Sequence, residues 1–138
     1  MSTDEQIRDR ARFKSYIERE QLVCILNNTK WENLFRVLEG IQGKLDFKRK
    51  DVRETEKTDQ RWDGDIYHVF GLCENIEWLE IRAQISIQKG ALIEPKIEDY
   101  TNELITLVKE ASVPFSRTKE GIKVWGYVRP GTNPDWEK

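Results

Sequence analysis

IEWLEIRAQISI, at residues 76–87, is the longest stretch of β-forming sequence in the chain, and it decides the fold class. β-Branched and aromatic residues are typical of strands. Successive side chains of a strand point to opposite faces, which divides the first six residues into two sets: Ile76, Trp78 and Glu80 on one face, and Glu77, Leu79 and Ile81 on the other. We therefore predict a long strand in which Glu77 and Glu80 point to opposite faces of a sheet.

Three further segments predict the other strands. In residues 44–53, KLDFKRKDVR, apolar positions point inward and charges point outward, as in an edge strand with one wet face. Residues 65–70 form the next predicted strand, and a turn at 71–75 joins it to residues 76–87. Residues 122–129, IKVWGYVR, form the last predicted strand.

Helical periodicity predicts three helices. The first spans residues 4–26, and because its first half is almost wholly polar we expect the early turns to project from the domain. The second runs to about residue 39 from a capping box formed by Thr29 and Glu32. The third begins at Pro95, which suits a first helical turn, and runs to about residue 111.

The order α-α-β-β-β-α-β predicts an α+β fold, with a mostly antiparallel four-stranded sheet and helices packed on one face. The length of 138 residues suits one domain. We predict an N-terminal helix at residues 1–26 that partly projects, a single α+β domain at residues 27–131, and a polar tail at residues 132–138.

The charge balance disfavours nucleic acid as a partner. The chain has 23 basic and 25 acidic residues, for a net charge of −2, whereas nucleic-acid binding relies on a basic surface. Residues 44–61 are rich in Lys and Arg, but neighbouring acids nearly cancel their field. The balance favours a protein partner or a small ligand.

The predicted location is the cytoplasm. The charged N-terminus has no apolar core typical of a signal peptide, and no apolar run approaches the roughly 20 residues that span a membrane. Cys24 and Cys73 belong to no CxxC pair, and we expect both to be reduced thiols. We predict no bound cofactor and no metal.

Four strings occur in a fixed order along the chain: NNTKW at 27–31, WDGD at 62–65, IEWLEI at 76–81 and VWGYVRPG at 124–131. Together they resemble a family of small bacterial proteins catalogued as a domain of unknown function. The likeness covers about residues 27–131. It implies a small soluble bacterial protein, and it brings no catalytic residues to this chain.

The candidate binding site lies in residues 62–80, WDGDIYHVFGLCENIEWLE, where five acids and several aromatic residues occur without a single Lys or Arg. Acidic surfaces steer encounter with basic partners, and aromatic anchors supply affinity. Our leading hypothesis is a non-enzymatic protein-binding module of the inhibitor or immunity type, with a basic partner such as a nuclease. The residues predicted to bind are Trp62, Asp63, Asp65, Glu77 and Glu80.

Two alternatives remain open. One is a small hydrolase or metal-assisted enzyme that uses His68 with Asp63, Asp65 or Cys73. A strand at residues 65–70 would place His68 on the face opposite the two aspartates, and no nucleophile elbow, phosphate loop or HExxH helix is present, so a non-enzymatic role is favoured. The other is a structural protein that associates with itself through the first helix.

Overall fold

The computed structural model describes residues 3–55, 61–88 and 90–137. The helices are α1 (Asp4–Arg19), α2 (Asn28–Leu38), α3 (Ile66–Val69) and α4 (Thr101–Glu110). The strands are β1 (Val23–Cys24), β2 (Asp46–Asp51), β3 (Ile76–Arg82), β4 (Gln84–Ile87), β5 (Lys96–Asp99), β6 (Phe115–Arg117), β7 (Gly121–Trp125) and β8 (Tyr127–Val128). Turns of 3-10 helix occupy Glu39–Ile41 and Cys73–Asn75. Among these elements, no helix has the length and apolar character needed to cross a membrane.

The central sheet has four antiparallel strands in the order β2-β3-β7-β6. Two smaller pairs, β1 with β8 and β4 with β5, are also antiparallel. The helices α2 and α4 contribute to one buried apolar cluster with the central strands. This arrangement confirms the predicted α+β fold with a four-stranded antiparallel sheet.

The core lies between helices α2 and α4 and one face of the central sheet. Its fully buried members include Leu34, Leu38, Leu104, Val108, Leu79, Ile81, Ile122 and Val124. Trp31 of α2 packs over Gly126, where an added Cβ would lie 3.1 Å from the indole and 2.1 Å from the carbonyl oxygen of Ile76. Only a glycine therefore allows this close approach between helix and sheet. The sheet face away from α2 and α4 is called the outer face below.

A β-bulge interrupts the pairing of β2 with β3. Lys50 lies opposite Trp78 and Asp51 lies opposite Ile76, so Glu77 is the extra residue of β3. Ile76 and Leu79 both join the core, whereas Glu77 bonds to Lys50 on the outer face. Glu80 is also on the outer face, because it lies opposite Lys48. The prediction that the two glutamates point to opposite faces is therefore wrong, since simple alternation fails at a bulge.

The first helix is shorter than predicted. It ends at Arg19, and Gln21 has a left-handed backbone with φ of 57° that breaks the helical path. Residues 23–24, predicted as helix, form β1 and pair with β8. Helix α1 buries none of its own residues and contacts the domain through a few side chains, for example Phe13, whose ring lies 6.2 Å from that of Tyr127.

The second helix begins as predicted to within a residue or two, but its cap differs. The side chain of Asn27 accepts a hydrogen bond from the backbone N–H of Lys30 at 2.9 Å. Asn27 is therefore the N-cap of α2, and the predicted capping box of Thr29 and Glu32 is wrong.

Residues 65–70 form a single helical turn rather than the predicted strand. The carboxylate of Asp65 accepts hydrogen bonds from the backbone N–H groups of Tyr67 and His68, which caps α3. Residues 73–75 then form a 3-10 turn. Residues 71–75, all of which the structure describes, therefore do not form the predicted hairpin turn.

The predicted strand at residues 76–87 divides at Ala83. The N–H of Ala83 donates to the carbonyl of Glu120, while its carbonyl accepts from the N–H of Tyr100. The chain thereby leaves the central sheet and enters the pair of β4 with β5, here called the β4–β5 hairpin. The third helix was predicted from Pro95, but residues 96–99 pair with β4 and α4 begins only at Thr101. Strand β6 was not predicted.

Candidate functional site

The predicted binding corner at residues 62–65 extends the sheet beside β2. Asp63 and Phe47 exchange two backbone hydrogen bonds of 2.8 Å. Trp62 lies against the outer face, with the ammonium of Lys48 and the guanidinium of Arg82 each 4.5 Å from its ring centroid. Both cations lie within the range of a cation–π contact. The indole is therefore already occupied by groups of its own chain.

Asp63 and His68 are brought together by the α3 turn. One carboxylate oxygen of Asp63 accepts from the N–H of Asp65 at 2.9 Å, and the other lies 2.5 Å from Nδ1 of His68. The bond from Asp65 and then the contact with His68 lower the pKa of Asp63. The prediction that His68 lies on the opposite face from Asp63 and Asp65 is wrong, because it assumed a strand.

The Asp63–His68 pair borders a cavity of about 290 Å³. The lining residues are Phe47, Arg49, Glu54, Arg61, Asp63, His68 and Val69. A carboxylate bonded to Nδ1 orients an imidazole and leaves Nε2 free to accept a proton. Within the described ranges, no group of three or more His, Cys, Asp or Glu side chains is placed to hold a metal ion.

Glu77 is a structural ion-pair residue. It is only 6% exposed, and its carboxylate binds Lys50 Nζ at 3.0 Å and Arg129 Nη2 at 2.7 Å. Arg129 also donates to the carbonyl of Val52 and to the hydroxyl of Tyr16, so the cluster ties α1 and β8 to the sheet. The hydrogen bond to Glu77 raises the pKa of Arg129 above its usual range. Glu77 has no free surface for a partner.

Glu80 is half-buried on the outer face, opposite Lys48 of β2 and Lys123 of β7. The five predicted residues therefore do not form one surface. Trp62 and Glu80 lie on the outer face, and Asp63 and Asp65 lie at the start of α3. Glu77 is also on the outer face, but it is buried there in its ion pairs with Lys50 and Arg129.

A larger concave site lies between α2 and the residues around α3, with a volume of about 590 Å³. Its lining includes four aromatic side chains: Trp31, Phe35, Tyr67 and Phe70. The rings meet edge to face, with centroids 5.6 Å apart for Phe35 and Tyr67 and 5.3 Å apart for Phe35 and Phe70. Tyr67 is 59% exposed, so an aromatic surface is open to solvent. We call this site the aromatic groove.

The rim of the aromatic groove is acidic. Glu32, Glu39 and Glu74 line it, and Arg36 is the base among the lining residues. The hydroxyl of Tyr67 donates to the carboxylate of Glu39 at 3.1 Å, which holds the ring against the rim. The groove can therefore offer aromatic surface and negative charge to the same ligand.

Cys73 is another lining residue of the aromatic groove. Its thiol donates to the carbonyl of Phe70 at 2.8 Å, and burial raises the pKa of this thiol. Burial therefore favours the neutral thiol of Cys73 over the thiolate.

The aromatic groove was missed by sequence reasoning. Tyr67 and Phe70 were assigned to a strand, which hides their approach to α2. A signal is nevertheless present in α2 and the turn after it, where Glu32, Phe35 and Glu39 recur at helical spacing along one stripe. That stripe carries acids beside an aromatic residue, as the groove does.

Comparisons with known proteins support the family suggested by the four strings. The model of a family of unknown function, DUF6678, matches residues 13–131. No curated protein and no solved structure matches the chain. The match begins within α1, earlier than the resemblance at residue 27 implied. The chain belongs to the DUF6678 family.

Proposed function

We propose that the protein is a binding module of the inhibitor or immunity type that takes a basic segment of another protein into the aromatic groove. The observation that carries this proposal is that three carboxylates line the same groove as the exposed ring of Tyr67 and the half-buried ring of Phe35. An Arg or Lys side chain suits both parts, because its stem packs on rings while its charged head contacts carboxylates.

The shape of the groove supports a peptide segment as occupant. The lining follows α2 and its extension from Asn28 to Glu39, and eleven helical steps of 1.5 Å give about 16 Å. An extended chain advances about 3.3 Å per residue, so about five residues fit along this length. The acidic rim also favours fast encounter with a basic partner.

The proposed setting is the cytoplasm of a bacterial cell. The resemblance of the four sequence strings to a bacterial family supports the source. Free thiols at Cys24 and Cys73 suit a reducing compartment.

Calorimetric titration with a peptide of about six alternating Arg and Lys residues tests the groove. We expect Tyr67→Ala to weaken binding about 30-fold, as loss of an aromatic anchor does. Tyr67→Phe keeps the ring and removes only the bond to Glu39, so it should cost about 5-fold or less. Glu32→Gln removes one rim carboxylate and should weaken binding by up to about 5-fold, whereas Glu103→Gln, on the exposed start of α4, is the matched control and should leave the affinity unchanged. Equal affinity of wild type and Tyr67→Ala would reject the proposal.

A second candidate function, a small hydrolase or metal-assisted enzyme, is supported by the contact of Asp63 with His68. Nε2 of His68 would act as a general base on water, and Arg61 in the same cavity would hold an anionic substrate. A panel of activated esters and phosphoesters tests this function, together with the metal content of the purified protein. Hydrolysis or bound metal that is lost in His68→Gln would support it. Equal rates for wild type and His68→Gln, with no bound metal, would reject it.

A further inference from the structure

The β4–β5 hairpin presents an open strand edge. β5 pairs with β4, and no second strand pairs with its other edge within the described ranges. Ile97, in the middle of β5, is 66% exposed although it is a large apolar residue. An exposed edge of this kind is a template for pairing with another chain.

The backbone of Ile97 faces this open edge. The N–H of Tyr100 donates to the carbonyl of Ala83, and these two residues lie opposite each other when the register of Gln84 with Asp99 is continued by one position. Hydrogen-bonded and non-bonded pairs alternate along an antiparallel ladder. Lys96 and Glu98 therefore direct their N–H and carbonyl groups toward β4, and Ile97 directs both of its groups away from β4.

We infer that β5 pairs antiparallel with β5 of a second copy, with Ile97 opposite Ile97. The charges select this register. It places Lys96 of each copy opposite Glu98 of the other, which makes two cross-strand ion pairs. A two-fold axis at Lys96 or at Glu98 would instead place like charges directly opposite, which is unfavourable.

The dimer joins the two hairpins into one sheet of order β4-β5-β5-β4. It covers the exposed Ile97 side chains and satisfies the backbone groups of the edge. Pro95 lies opposite Asp99 of the second copy and has no N–H to donate, so the pairing ends there. The contact is short, and interfaces of small area associate weakly. The surface is separate from the aromatic groove, so the inference is independent of the proposed function.

Sedimentation analysis of the full chain, from about 10 μM to about 1 mM, tests the inference over the range of a weak interface. We expect a concentration-dependent dimer. Lys96→Glu and Glu98→Lys each place like charges opposite one another and should weaken the dimer at least about 10-fold. An equal mixture of the two variants restores both ion pairs and should dimerise like the wild type. The variant carrying both substitutions should do the same.

Two further variants separate edge pairing from other association. Ile97→Pro removes an N–H that points away from β4, so it should abolish the dimer while the hairpin persists. Leu92→Ser removes a fully exposed apolar residue of the connecting loop and should leave the dimer unchanged. A monomer throughout the concentration range would overturn the inference. A dimer insensitive to charge at positions 96 and 98, as expected for association through α1, would also overturn it.

Discussion

Replacing Glu77 by Ala should be among the most destabilising single changes to the charged residues of this protein. The side chains of Lys50 and Glu77 are each only 8% exposed, and their N–O distance is 3.0 Å. After the substitution, the ammonium of Lys50 still donates to the backbone carbonyl of Asp51 at 3.3 Å, but it no longer has the negative charge of Glu77 beside it. Arg129, at 32% side-chain exposure, can turn partly toward water.

The magnitude follows from the buried cation. Removing one partner of a buried ion pair costs about 3–5 kcal/mol. The unfolding entropy is about 2.1 cal/mol/K per residue, or about 290 cal/mol/K for this chain, so the melting temperature should fall by about 10–17 °C. Urea unfolding and calorimetry measure the two quantities.

Two control variants test whether the loss of stability comes from leaving a buried charge without its partner. Glu80→Ala, on the half-buried outer face, should cost less than about 1 kcal/mol. Replacing Lys50 and Glu77 together by Met should recover most of the loss, because the isolated charge is then gone. A loss below about 1 kcal/mol for Glu77→Ala, or no recovery in the double variant, would refute the reasoning.

Three further predictions concern other parts of the fold. Gly121→Ala places a Cβ 1.9 Å from the carbonyl oxygen of Ile81 and should cost about 3 kcal/mol in urea unfolding. Gly40→Ala, with open space around its Cβ, should change the free energy of unfolding by less than about 0.5 kcal/mol, and equal losses for the two would contradict this account. The pKa of Asp63 is lowered in the folded state, so its stabilising effect is present above the ordinary value of 3.8 and disappears as the pH falls through the lower folded value. Asp63→Asn should therefore unfold more easily than wild type at neutral pH and about equally at pH near 2, and a constant difference would argue against this linkage. Burial raises the pKa of the Cys73 thiol, so its alkylation should be slower in the folded protein than in urea. Alkylation should be slower still when the basic peptide is bound in the aromatic groove. Equal rates in the folded protein and in urea would contradict the first expectation, and equal rates with and without the peptide would contradict the second.

Hydrophobic periodicity made part of the fold predictable. The α2 stripe and the alternation of Ile122 and Val124 in β7 are clear signals because each element has an apolar face that is buried in the core. These segments fix the fold class, and the order of four strings was enough to indicate the family. Their signals are local, since each is contained within one element.

The parts that could not be predicted depend on single hydrogen bonds or on distant pairing. Asp65 can introduce a turn before a strand or cap a helix, and only the approach of α3 to α2 selects the cap. The bulge at Glu77 depends on the partner strand β2, and β5 is a strand only because β4 lies beside it. The aromatic groove was hidden for the same reason, because its two walls meet only after the chain folds.

The position of Ala83 has a consequence for hydrogen exchange. Its two backbone hydrogen bonds go to different sheets, so the β4–β5 hairpin joins the rest of the protein at a junction where the central ladder ends. Ile85 and Ile87 are only half-buried, whereas Leu79 and Ile81 are fully buried in the core. The hairpin can therefore open as a local unit without loss of the core. Its amides should exchange at a lower free energy than those of β3, which exchange only when the whole domain unfolds.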